Sequence, residues 1–369
     1  MVIAIIGSGI AGSYLAYKLS KSHNKKDIIL IEEHDKIGYP KHCTGLVTKT
    51  INKIEKIPKN LIINELDTAI LHIDDLSIKL KVRDVLLDRE KLEQHFYDLA
   101  KVKKIKKSKV KEISKRENKY IISDGEKEFI ADKIIGADGP NSIVKRTLFK
   151  ENKLEFYSGI QAVVKGNFKS NTYEVYFDKK YSDVMFSWIV PINSKKALIG
   201  VAAQRKTKDY FNRFLTDLNI DNTKIIEKFG GTIPVFNPRN RIEKQNAYLI
   251  GDSAGQVKAT TGGGIIPIMR AANLLKKSLD EDLSYETLVK KNLNKELKVH
   301  LKIHNLLKSF DERELKAFFE TLNESGLFKI ISKNDRDDFS KILLKLIVSG
   351  FKHPKIIKYY LKALPYFLA

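Results

Sequence analysis

The chain has 369 residues, of which 43% are hydrophobic, enough for a sizeable buried core and for more than one domain. No stretch approaches the roughly 20 uninterrupted apolar residues that span a bilayer, and the first residues lack the basic segment of a signal peptide, so we expect a cytoplasmic protein. The net charge of +22 comes mostly from lysines spread along the whole chain, which argues against nucleic-acid binding and favours acidic partners such as anionic lipid headgroups or an acidic electron carrier.

A βαβ unit typical of dinucleotide binding opens the chain. Its parts, in chain order, are the apolar strand 2–6, the turn 7–12, the helix 13–20 and the apolar strand 28–31. In such units the first glycine makes the tight turn, the second lets the backbone approach a pyrophosphate, and the third permits close packing of helix on strand. These glycines are Gly7, Gly9 and Gly12. Glu32, twenty residues beyond Gly12, can accept hydrogen bonds from an adenosine ribose.

Two antiparallel strands are predicted over residues 67–88, where apolar and polar side chains alternate. A helix is predicted from about Glu90 to Lys101, and Arg89 stands at its start. From there Arg89 could reach a cofactor phosphate. A surface salt bridge is the alternative, and the residues by themselves leave both open.

Two further strands lead into glycine-rich turns later in the chain. A strand over 131–135 leads into GADG at 136–139, and a strand over 248–250 leads into GDSAG at 251–255. An aspartate at a strand end beside glycines is well placed to bind a ribityl hydroxyl. The glycines 262–264 precede a predicted helix, whose start can stabilise the negative charge of a reduced flavin ring. Together these segments favour FAD over NAD as the dinucleotide.

Short β-rich segments separated by turn residues fill the region from about Tyr157 to Ala203. With residues 60–85 they predict an antiparallel sheet laid against the flavin. We therefore predict an α/β fold with a Rossmann-type FAD-binding domain, an antiparallel β-sheet substrate domain and C-terminal helices. The predicted boundaries are 1–60, 84–150 and 240–285 for the discontinuous FAD-binding domain, 61–83 and 151–239 for the substrate domain, and 286–369 for the helical region.

The C-terminal region is expected to be helical because its apolar residues recur at three- and four-residue spacings. The last segment, 341–369, carries six lysines and no acidic residue, interleaved with apolar and aromatic residues. This composition suits an amphipathic helix at a membrane surface, and equally a helical cap on the core with solvated lysines. Pro354 and Pro365 are expected to break the segment into short pieces that do not span a bilayer.

The order and spacing of the GxGxxG, GADG and GDSAG motifs resemble those of the para-hydroxybenzoate-hydroxylase-like flavoprotein superfamily. Within it, the chain is most similar to the archaeal geranylgeranyl reductase family, which includes digeranylgeranylglycerophospholipid reductases. The similarity covers roughly residues 1–290, with family-like segments at 42–47, 230–234 and 262–265. The FAD-binding residues that the resemblance implies are Gly7, Gly9, Ala11, Gly12, Glu32, Glu33, Cys43, Thr44, Gly45, Arg89, Asp138, Gly139, Gly251, Asp252, Gly262, Gly263, Gly264 and Ile265.

The segment 186–191 resembles the family's aromatic-x-Trp-x-Phe-Pro motif, which faces the isoprenoid chain. It departs from the motif at two positions, with Phe186 where Tyr is usual and Val190 where Phe is usual, which affects the shape of the pocket and not its apolar character. The resemblance makes Phe186, Trp188 and Pro191 candidate substrate-binding residues. For Trp188, a place in the plain sheet core is the alternative.

Cys43 is the single cysteine of the chain. A lone thiol forms no internal disulfide and cannot supply the four thiolates of an ordinary iron–sulfur cluster, and we predict no metal site. The family places a cysteine beside the flavin at the substrate end, which makes Cys43 the candidate catalytic residue, a donor of the proton that accompanies reduction. His42 beside it could assist or orient the loop.

The resemblance implies an FAD-dependent reductase that saturates carbon–carbon double bonds of geranylgeranyl chains in lipid biosynthesis. The expected partners are an isoprenoid lipid substrate, NADPH or a ferredoxin as electron donor, and the inner face of the membrane as a peripheral contact. An FAD-dependent monooxygenase or halogenase is the leading alternative, because the same architecture serves those reactions. A flavin-bearing binding module without turnover is a third possibility.

Overall fold

The computed structural model describes residues 1–24, 27–334, 336–350 and 352–368. Its strands are β1 (Ile3–Ile6), β2 (Ile28–Ile31), β3 (Leu46–Thr48), β4 (Ile62–Ile73), β5 (Leu76–Leu87), β6 (Lys103–Ile105), β7 (Glu112–Arg116), β8 (Lys119–Ser123), β9 (Glu128–Ala131), β10 (Lys133–Gly136), β11 (Phe156–Lys165), β12 (Thr172–Tyr176), β13 (Ser187–Asn193), β14 (Lys196–Ala203), β15 (Ile225–Pro234), β16 (Glu243–Lys244) and β17 (Ala247–Leu249). Its α-helices are α1 (Ile10–Leu19), α2 (Ile51–Ile54), α3 (Arg89–Leu99), α4 (Ile143–Leu148), α5 (Thr207–Asp217), α6 (Ile265–Glu281), α7 (Tyr285–Asn292), α8 (Asn294–Lys308), α9 (Glu312–Glu324), α10 (Leu327–Lys333), α11 (Phe339–Gly350) and α12 (Pro354–Leu368).

The first sheet has six strands in the order β16-β17-β10-β1-β2-β6. β1 lies between β2 and β10, parallel to both, and every residue of β1 and β2 is buried. Strands that are apolar at every position are typical of a parallel sheet covered on both faces, and the strands predicted over 2–6 and 28–31 are confirmed. The helix predicted over 13–20 begins earlier, at Ile10, because the glycine turn passes directly into the first helical turn.

The strands predicted over 131–135 and 248–250 are β10 and β17, which are neighbours in this sheet and run parallel to β1. The carboxyl ends of these strands and of β2 therefore lie along one edge of the sheet. Open parallel sheets bind ligands outside this edge. The fold thus brings together turns that are more than two hundred residues apart in sequence.

The second sheet has eight strands in the order β15-β11-β14-β13-β12-β4-β5-β3. Its pairings are antiparallel, as predicted, except that β12 runs parallel to β4, with Thr172 opposite Thr68. A parallel pairing is possible here because β4 and β12 are joined through the first sheet and not by a hairpin. β5 extends to Leu87 and pairs with β3, so this sheet includes residues on both sides of the boundary placed at residue 83.

The two faces of the eight-stranded sheet are both apolar but pack against different partners. One face carries a buried cluster that includes Tyr173, Trp188 and Val190 and is turned toward the six-stranded sheet. The opposite face is covered by α5, whose Phe211 and Phe214 are buried against it. Since α5 covers the second face over β11 and β14, it is the first face that borders the cavity.

A three-stranded sheet, β7-β8-β9, lies beside the first sheet and is absent from the sequence-based prediction. Its buried residues are Ile113, Tyr120, Ile122, Phe129 and Ala131. The positions between them carry charged residues but also Ser114, Ile121 and the exposed Ile130. The strands are four or five residues long, and so short an alternation is a weak signal among lysine-rich segments.

Six helices, α7 to α12, follow the second sheet and confirm the predicted helical C-terminal region. Pro354 begins α12, where a missing N–H costs little, but the expectation that Pro365 breaks the segment is wrong, since Pro365 lies inside α12. The carbonyl that loses its partner belongs to Leu361, which is 61% exposed and can be hydrated. Residues 351 and 369 of the segment lie outside the described residues. Among the described helices, none is long and apolar enough to cross a membrane.

His304 of α8 provides a test of how the C-terminal helices pack against the eight-stranded sheet. Its Nε2 lies 2.8 Å from the hydroxyl oxygen of Tyr157 in β11, and burial lowers the pKa of His304 to about 4. The unfolded chain binds a proton near pH 6.5 but the folded protein does so only near 4, so stability is complete above 6.5 and falls as the pH decreases. We expect a loss of about 2 kcal/mol in free energy of unfolding from this residue between pH 8 and pH 5.

The comparison is urea unfolding of the wild type and His304→Gln at both pH values. The variant should lose less stability on acidification than the wild type by that amount. Equal losses in the two proteins would show that His304 is not the group that titrates.

Candidate active site

A single cavity of about 2220 Å³ lies between the carboxyl edge of the six-stranded sheet and the apolar face of the eight-stranded sheet. This volume exceeds the 300–1,000 Å³ typical of a small-molecule pocket, so it can hold two extended ligands. The predicted site residues that line it are Gly7, Gly9, Ala11, Glu32, Glu33, Cys43, Thr44, Gly45, Arg89, Asp138, Gly139, Phe186, Trp188, Asp252, Gly262, Gly263, Gly264 and Ile265.

Three predicted site residues do not line the cavity. Gly12 is inside α1, where an added Cβ would lie 1.9 Å from the carbonyl oxygen of Gly7. A Cβ added at Gly251 would lie 3.0 Å from Cβ of Ala11, so Gly251 allows the GDSAG turn to pack against α1. Pro191 is buried in β13. These residues shape the site from behind and are not placed to touch a ligand.

The turn from Gly7 to Gly12 forms a cradle open to the cavity. The Gly7 N–H donates to the carbonyl of Ile31 at 2.7 Å, and Gly7 has a φ of +96°, which favours glycine. Gly9 is the N-cap of α1, and apart from its chain neighbours no heavy atom of the described residues lies within 4 Å of where its Cβ would stand. The first N–H groups of α1 have no acceptor within the helix and carry its positive dipole end. The cradle therefore fits a pyrophosphate.

Glu32 at the end of β2 holds the cradle in place. Its carboxylate accepts from the Ser8 N–H at 2.6 Å and from the His34 N–H at 2.9 Å. The side chain is only 10% exposed and still lines the cavity, as an acid that binds a ribose must. Glu33 is different, because it is exposed and pairs with Lys109 at 2.9 Å.

Asp138 follows β10 in the GADG turn. Its Oδ2 accepts from the Ile143 N–H at 2.7 Å, whereas its Oδ1 is shielded from solvent and has no hydrogen-bond partner among the described residues. Burial raises the pKa of this carboxyl. A buried carboxylate oxygen without a partner is costly, and a ligand hydroxyl would satisfy it. Asp138 thus fits the sugar or ribityl portion of FAD.

Asp252 lies in the short 3-10 helix Gly251–Ala254, which is anchored where the Ser253 hydroxyl donates to the carbonyl of Gly136 at 2.6 Å. Burial raises the pKa of Asp252 to about 6, although Arg89 and His42 favour its ionised form. Its Oδ1 is 3.6 Å from where a Cβ on Gly264 would stand. The acid of the GDSAG turn and the start of α6 therefore face the same part of the cavity.

The start of α6 is the second helix terminus at the cavity. Gly264 precedes the helix, and its backbone lies beside Ile265 and Ile266, both of which line the cavity. The N–H groups of these first residues have no acceptor within the helix. Since α6 is 17 residues long, its dipole favours negative charge at this end. This arrangement suits the ring of a reduced flavin, which carries negative charge.

The loop that contains Cys43 joins the two sheets, because it leads from β2 of the six-stranded sheet to β3 of the eight-stranded sheet. Cys43 is exposed, lines the cavity and accepts from the Gly45 N–H at 3.4 Å, and its thiol is near enough to Arg89 for the two side chains to interact electrostatically. His42 Nδ1 is 3.1 Å from the carbonyl oxygen of Gly230, and the Thr44 hydroxyl donates to Gln161 at 2.9 Å. The thiol is thereby held at the junction between the two sheets.

Arg89 makes an ion pair with Glu93, as the salt-bridge interpretation predicted, but the pair is buried at the cavity and not on the surface. Burial disfavours its charge, yet Glu93 and Cys43 outweigh burial and raise the pKa of Arg89. Its Nε has no partner among the described residues. Arg89 is thus a fixed positive charge next to the Cys43 thiol.

The apolar compartment of the cavity is bordered by the inner face of the eight-stranded sheet. The rings of Phe186 and Trp188 meet edge to face, with centroids 5.8 Å apart. Gly200 lies beneath the indole, since an added Cβ would be 2.3 Å from the Trp188 ring. Val175 and Leu80 continue this wall. Trp188 therefore belongs to the sheet core and to the cavity wall at once, so the two interpretations do not exclude each other.

Sequence analysis missed a polar cluster that lines the cavity next to the glycine turn 262–264. Asp84 accepts from the Tyr173 hydroxyl at 2.9 Å and pairs with Arg336 at 2.8 Å, and the buried Asp337 pairs with Lys258. Burial raises the pKa of Asp84, while Lys258 contributes to lowering that of Asp337 to about 2. Asp84 and Tyr173 occupy inward positions of their strands, but partners so distant in sequence could not be recognised without the fold.

The fold and the site define an FAD-dependent oxidoreductase. More narrowly, the chain belongs to the family described as lycopene cyclase protein, whose model matches residues 2–342. The resemblance to archaeal geranylgeranyl reductases is also confirmed, since digeranylgeranylglycerophospholipid reductase 2 of Methanothermobacter thermautotrophicus is 25% identical over 89% of this chain and 93% of that protein.

Solved structures share the fold. A geranylgeranyl bacteriochlorophyll reductase-like protein of Thermoplasma acidophilum superimposes with a TM-score of 0.79 at 19% identity, over 98% of each chain. PqsL of Pseudomonas aeruginosa, described as a probable FAD-dependent monooxygenase, has a TM-score of 0.67 at 16% identity, over 87% of this chain and 100% of that chain. One architecture therefore occurs in proteins named for different reactions.

Gly9→Ala tests whether the cradle holds the pyrophosphate. The backbone at Gly9 has a φ of −63° and the added methyl group meets open space, so the apoprotein should unfold within about 1 kcal/mol of the wild type. The same methyl group would occupy the space of the phosphates, and FAD affinity should fall roughly tenfold or more. Flavin fluorescence titration measures the affinity, and urea unfolding measures the stability.

Gly12→Ala is the contrasting variant, since its methyl group strikes the Gly7 carbonyl and should reduce both stability and affinity. Unchanged FAD affinity in Gly9→Ala would place the pyrophosphate elsewhere.

Asp252→Asn tests the buried carboxyl. In the unfolded chain this acid ionises near pH 3.8, but in the apoprotein only near 6, so its burial destabilises the fold increasingly as the pH rises from 4 through 6. At pH 8 the variant apoprotein should be more stable than the wild type by about 2–3 kcal/mol, and at pH 4 the two should be nearly equal. Thermal unfolding at both pH values checks this, and a pH-independent difference would contradict it.

Proposed function

We propose that this protein is an FAD-dependent reductase that saturates carbon–carbon double bonds of a geranylgeranyl chain, carried on a polar lipid. The observation that supports it most strongly is the single cavity in which a dinucleotide cradle continues into an apolar compartment walled by aromatic and aliphatic side chains. A long hydrocarbon chain is the ligand that such a compartment suits. The reductases named among the relatives support the same conclusion.

The residues proposed to hold FAD are those of the three turns at the carboxyl edge. Gly9 and the start of α1 bind the pyrophosphate, Glu32 the ribose, and Asp138 a hydroxyl of the sugar or ribityl chain. Asp252 and the start of α6 lie at the flavin ring. When bound and reduced, FAD supplies two electrons and one of the two hydrogen atoms that saturation of a double bond requires.

The protein itself contributes position, exclusion of water and a proton. An isolated alkene has no carbonyl group to polarise, so catalysis depends on how closely the double bond is held. Phe186 and Trp188 form a rigid wall on one side of the chain. Their substrate-binding role, proposed here together with a supporting role for Pro191, is to fix the depth and direction in which the chain enters.

Cys43 is the proposed proton donor. It lies at the junction of the cradle and the apolar compartment, and its thiol is next to the positive charge of Arg89. The thiol would give its proton to one alkene carbon, and the permanent charge of Arg89 would stabilise the thiolate that remains. Because Cys43 is exposed to the cavity, solvent can restore the proton between turnovers.

Electrons are proposed to come from NADPH or from a ferredoxin that docks on the basic surface, and the protein is proposed to work at the inner face of the membrane. Both assignments follow from the net charge and from the lipid substrate. Neither is needed for the first test, in which a chemical reductant replaces the natural donor.

The test is anaerobic incubation of the dithionite-reduced holoprotein with a geranylgeranyl phospholipid in detergent, followed by mass spectrometry. We expect a gain of two hydrogen atoms per double bond. Cys43→Ser should retain FAD and lower the rate about 100-fold or more, because a hydroxyl group is a much weaker acid than a thiol.

Unchanged lipid, with FAD shown to be bound and reduced, would overturn the proposal. If the reduced protein then consumed oxygen and hydroxylated or halogenated an added substrate, the monooxygenase or halogenase alternative would take its place. Bound FAD that no lipid and no oxygen reoxidises would instead indicate a binding module without turnover.

A further inference from the structure

The helix α12 has two apolar faces. One face is buried: Ile356 and Tyr359 are shielded from solvent, and Tyr359 packs in the cluster that contains Phe310 and Phe319. The opposite face carries four large apolar side chains at helical spacing that are 38% to 82% exposed. This leucine stripe consists of Ile357, Leu361, Leu364 and Leu368.

Exposed apolar side chains are concentrated in this part of the molecule. Among the described residues, twelve large hydrophobic side chains are exposed, and five of them lie within residues 348–368: Val348 and the leucine stripe. Single exposed hydrophobic residues scattered over a surface need no explanation, but a contiguous patch marks an interaction site. The stripe is therefore a candidate docking surface.

The charge around the stripe identifies the kind of partner. Residues 339–369 contain six lysines and no acidic residue. Lys352, Lys355 and Lys358 of this segment are exposed, and Lys355 pairs with Glu324 of α9 at 3.1 Å. An apolar stripe flanked by lysines suits a surface that is apolar below and anionic at its rim. A second copy of this chain would bring lysines against lysines and suits the stripe less well.

We propose that the leucine stripe docks this protein on an anionic lipid bilayer. Since α12 has 15 residues and no described helix can cross a membrane, the helix lies in the plane of the interface with its stripe among the acyl chains. The lysines meet the lipid phosphates at the rim. The opposite face of α12 stays packed on the protein, so docking needs no unfolding.

The docking surface is connected to the cavity through two helices. α10 contributes Lys329 and Lys333 to the cavity lining and packs against α11, which in turn packs against α12. A docked molecule would thus hold the substrate compartment close to the bilayer from which a lipid chain must come. The role of docking in substrate supply rests on the proposed function. Binding to vesicles is measured without turnover, so the docking proposal and the reductase proposal can fail separately.

The experiment is co-sedimentation of the full-length holoprotein with vesicles of phosphatidylcholine alone and of phosphatidylcholine with phosphatidylglycerol. The wild type should bind the anionic vesicles more tightly. The double variant Leu361→Ser/Leu364→Ser should weaken this binding roughly tenfold or more. At low salt, the double variant Lys352→Gln/Lys358→Gln should weaken binding to the anionic vesicles about as much as the leucine variant does. It should leave binding to the phosphatidylcholine vesicles unchanged.

The matched control is Ile63→Ser/Ile226→Ser, which removes two exposed apolar side chains of similar exposure from β4 and β15. This control should bind like the wild type, and all variants should keep the wild-type thermal unfolding temperature. Reduction of lipid presented in detergent should be unaffected in the leucine variant, which separates docking from catalysis.

Three results would overturn the proposal. The first is a wild type that sediments with neither kind of vesicle, and the second is a leucine variant that binds as tightly as the wild type. A concentration-dependent dimer that the leucine variant loses, measured by analytical ultracentrifugation without lipid, would assign the stripe to a second copy of the chain.

Discussion

The close contact of three backbone turns at the carboxyl edge of the six-stranded sheet is the constraint on which the rest of the site depends. A Cβ on Gly7 would lie 2.5 Å from the carbonyl oxygen of Ala137, one on Gly12 would lie 1.9 Å from the Gly7 carbonyl, and one on Gly251 would lie 3.0 Å from Ala11. The turns can approach this closely only because side chains are missing. Their approach aligns the start of α1, the Asp138 turn and the Asp252 turn along one side of the cavity.

The polar groups along that edge carry an electrostatic cost that a ligand can relieve. Asp138 and Asp252 are buried with raised pKa values, and Asp138 keeps one oxygen without a partner among the described residues. Such groups lower the stability of the protein alone. A ligand that donates hydrogen bonds from hydroxyl groups would recover this energy as binding energy. The site therefore exchanges stability of the apoprotein for affinity, as functional sites commonly do.

The opposite wall of the cavity is shaped by apolar packing and not by polar groups. There the eight-stranded sheet offers an apolar face, and its shape comes from packing, such as the contact of Trp188 with Gly200. The loop that contains Cys43 connects the two walls because it follows β2 of the first sheet and ends in β3, which pairs with β5 of the second sheet. A thiol, a buried positive charge and an apolar compartment thus meet at one point, although they come from separate segments of the chain.

The amino-acid sequence by itself determined the elements that depend only on residues close to one another in the chain. The buried strands β1 and β2, the glycines of the cradle and the position of Glu32 follow from apolar runs and from spacing, and the helical C-terminus follows from its periodicity. Only the tertiary structure decided the rest: the parallel pairing of β12 with β4, the buried ion pair of Arg89 with Glu93, the Asp84–Arg336 and Lys258–Asp337 pairs, and the outward stripe of α12. These features depend on which distant segments meet, and a charge or a leucine has the same local signal whether it is buried or exposed.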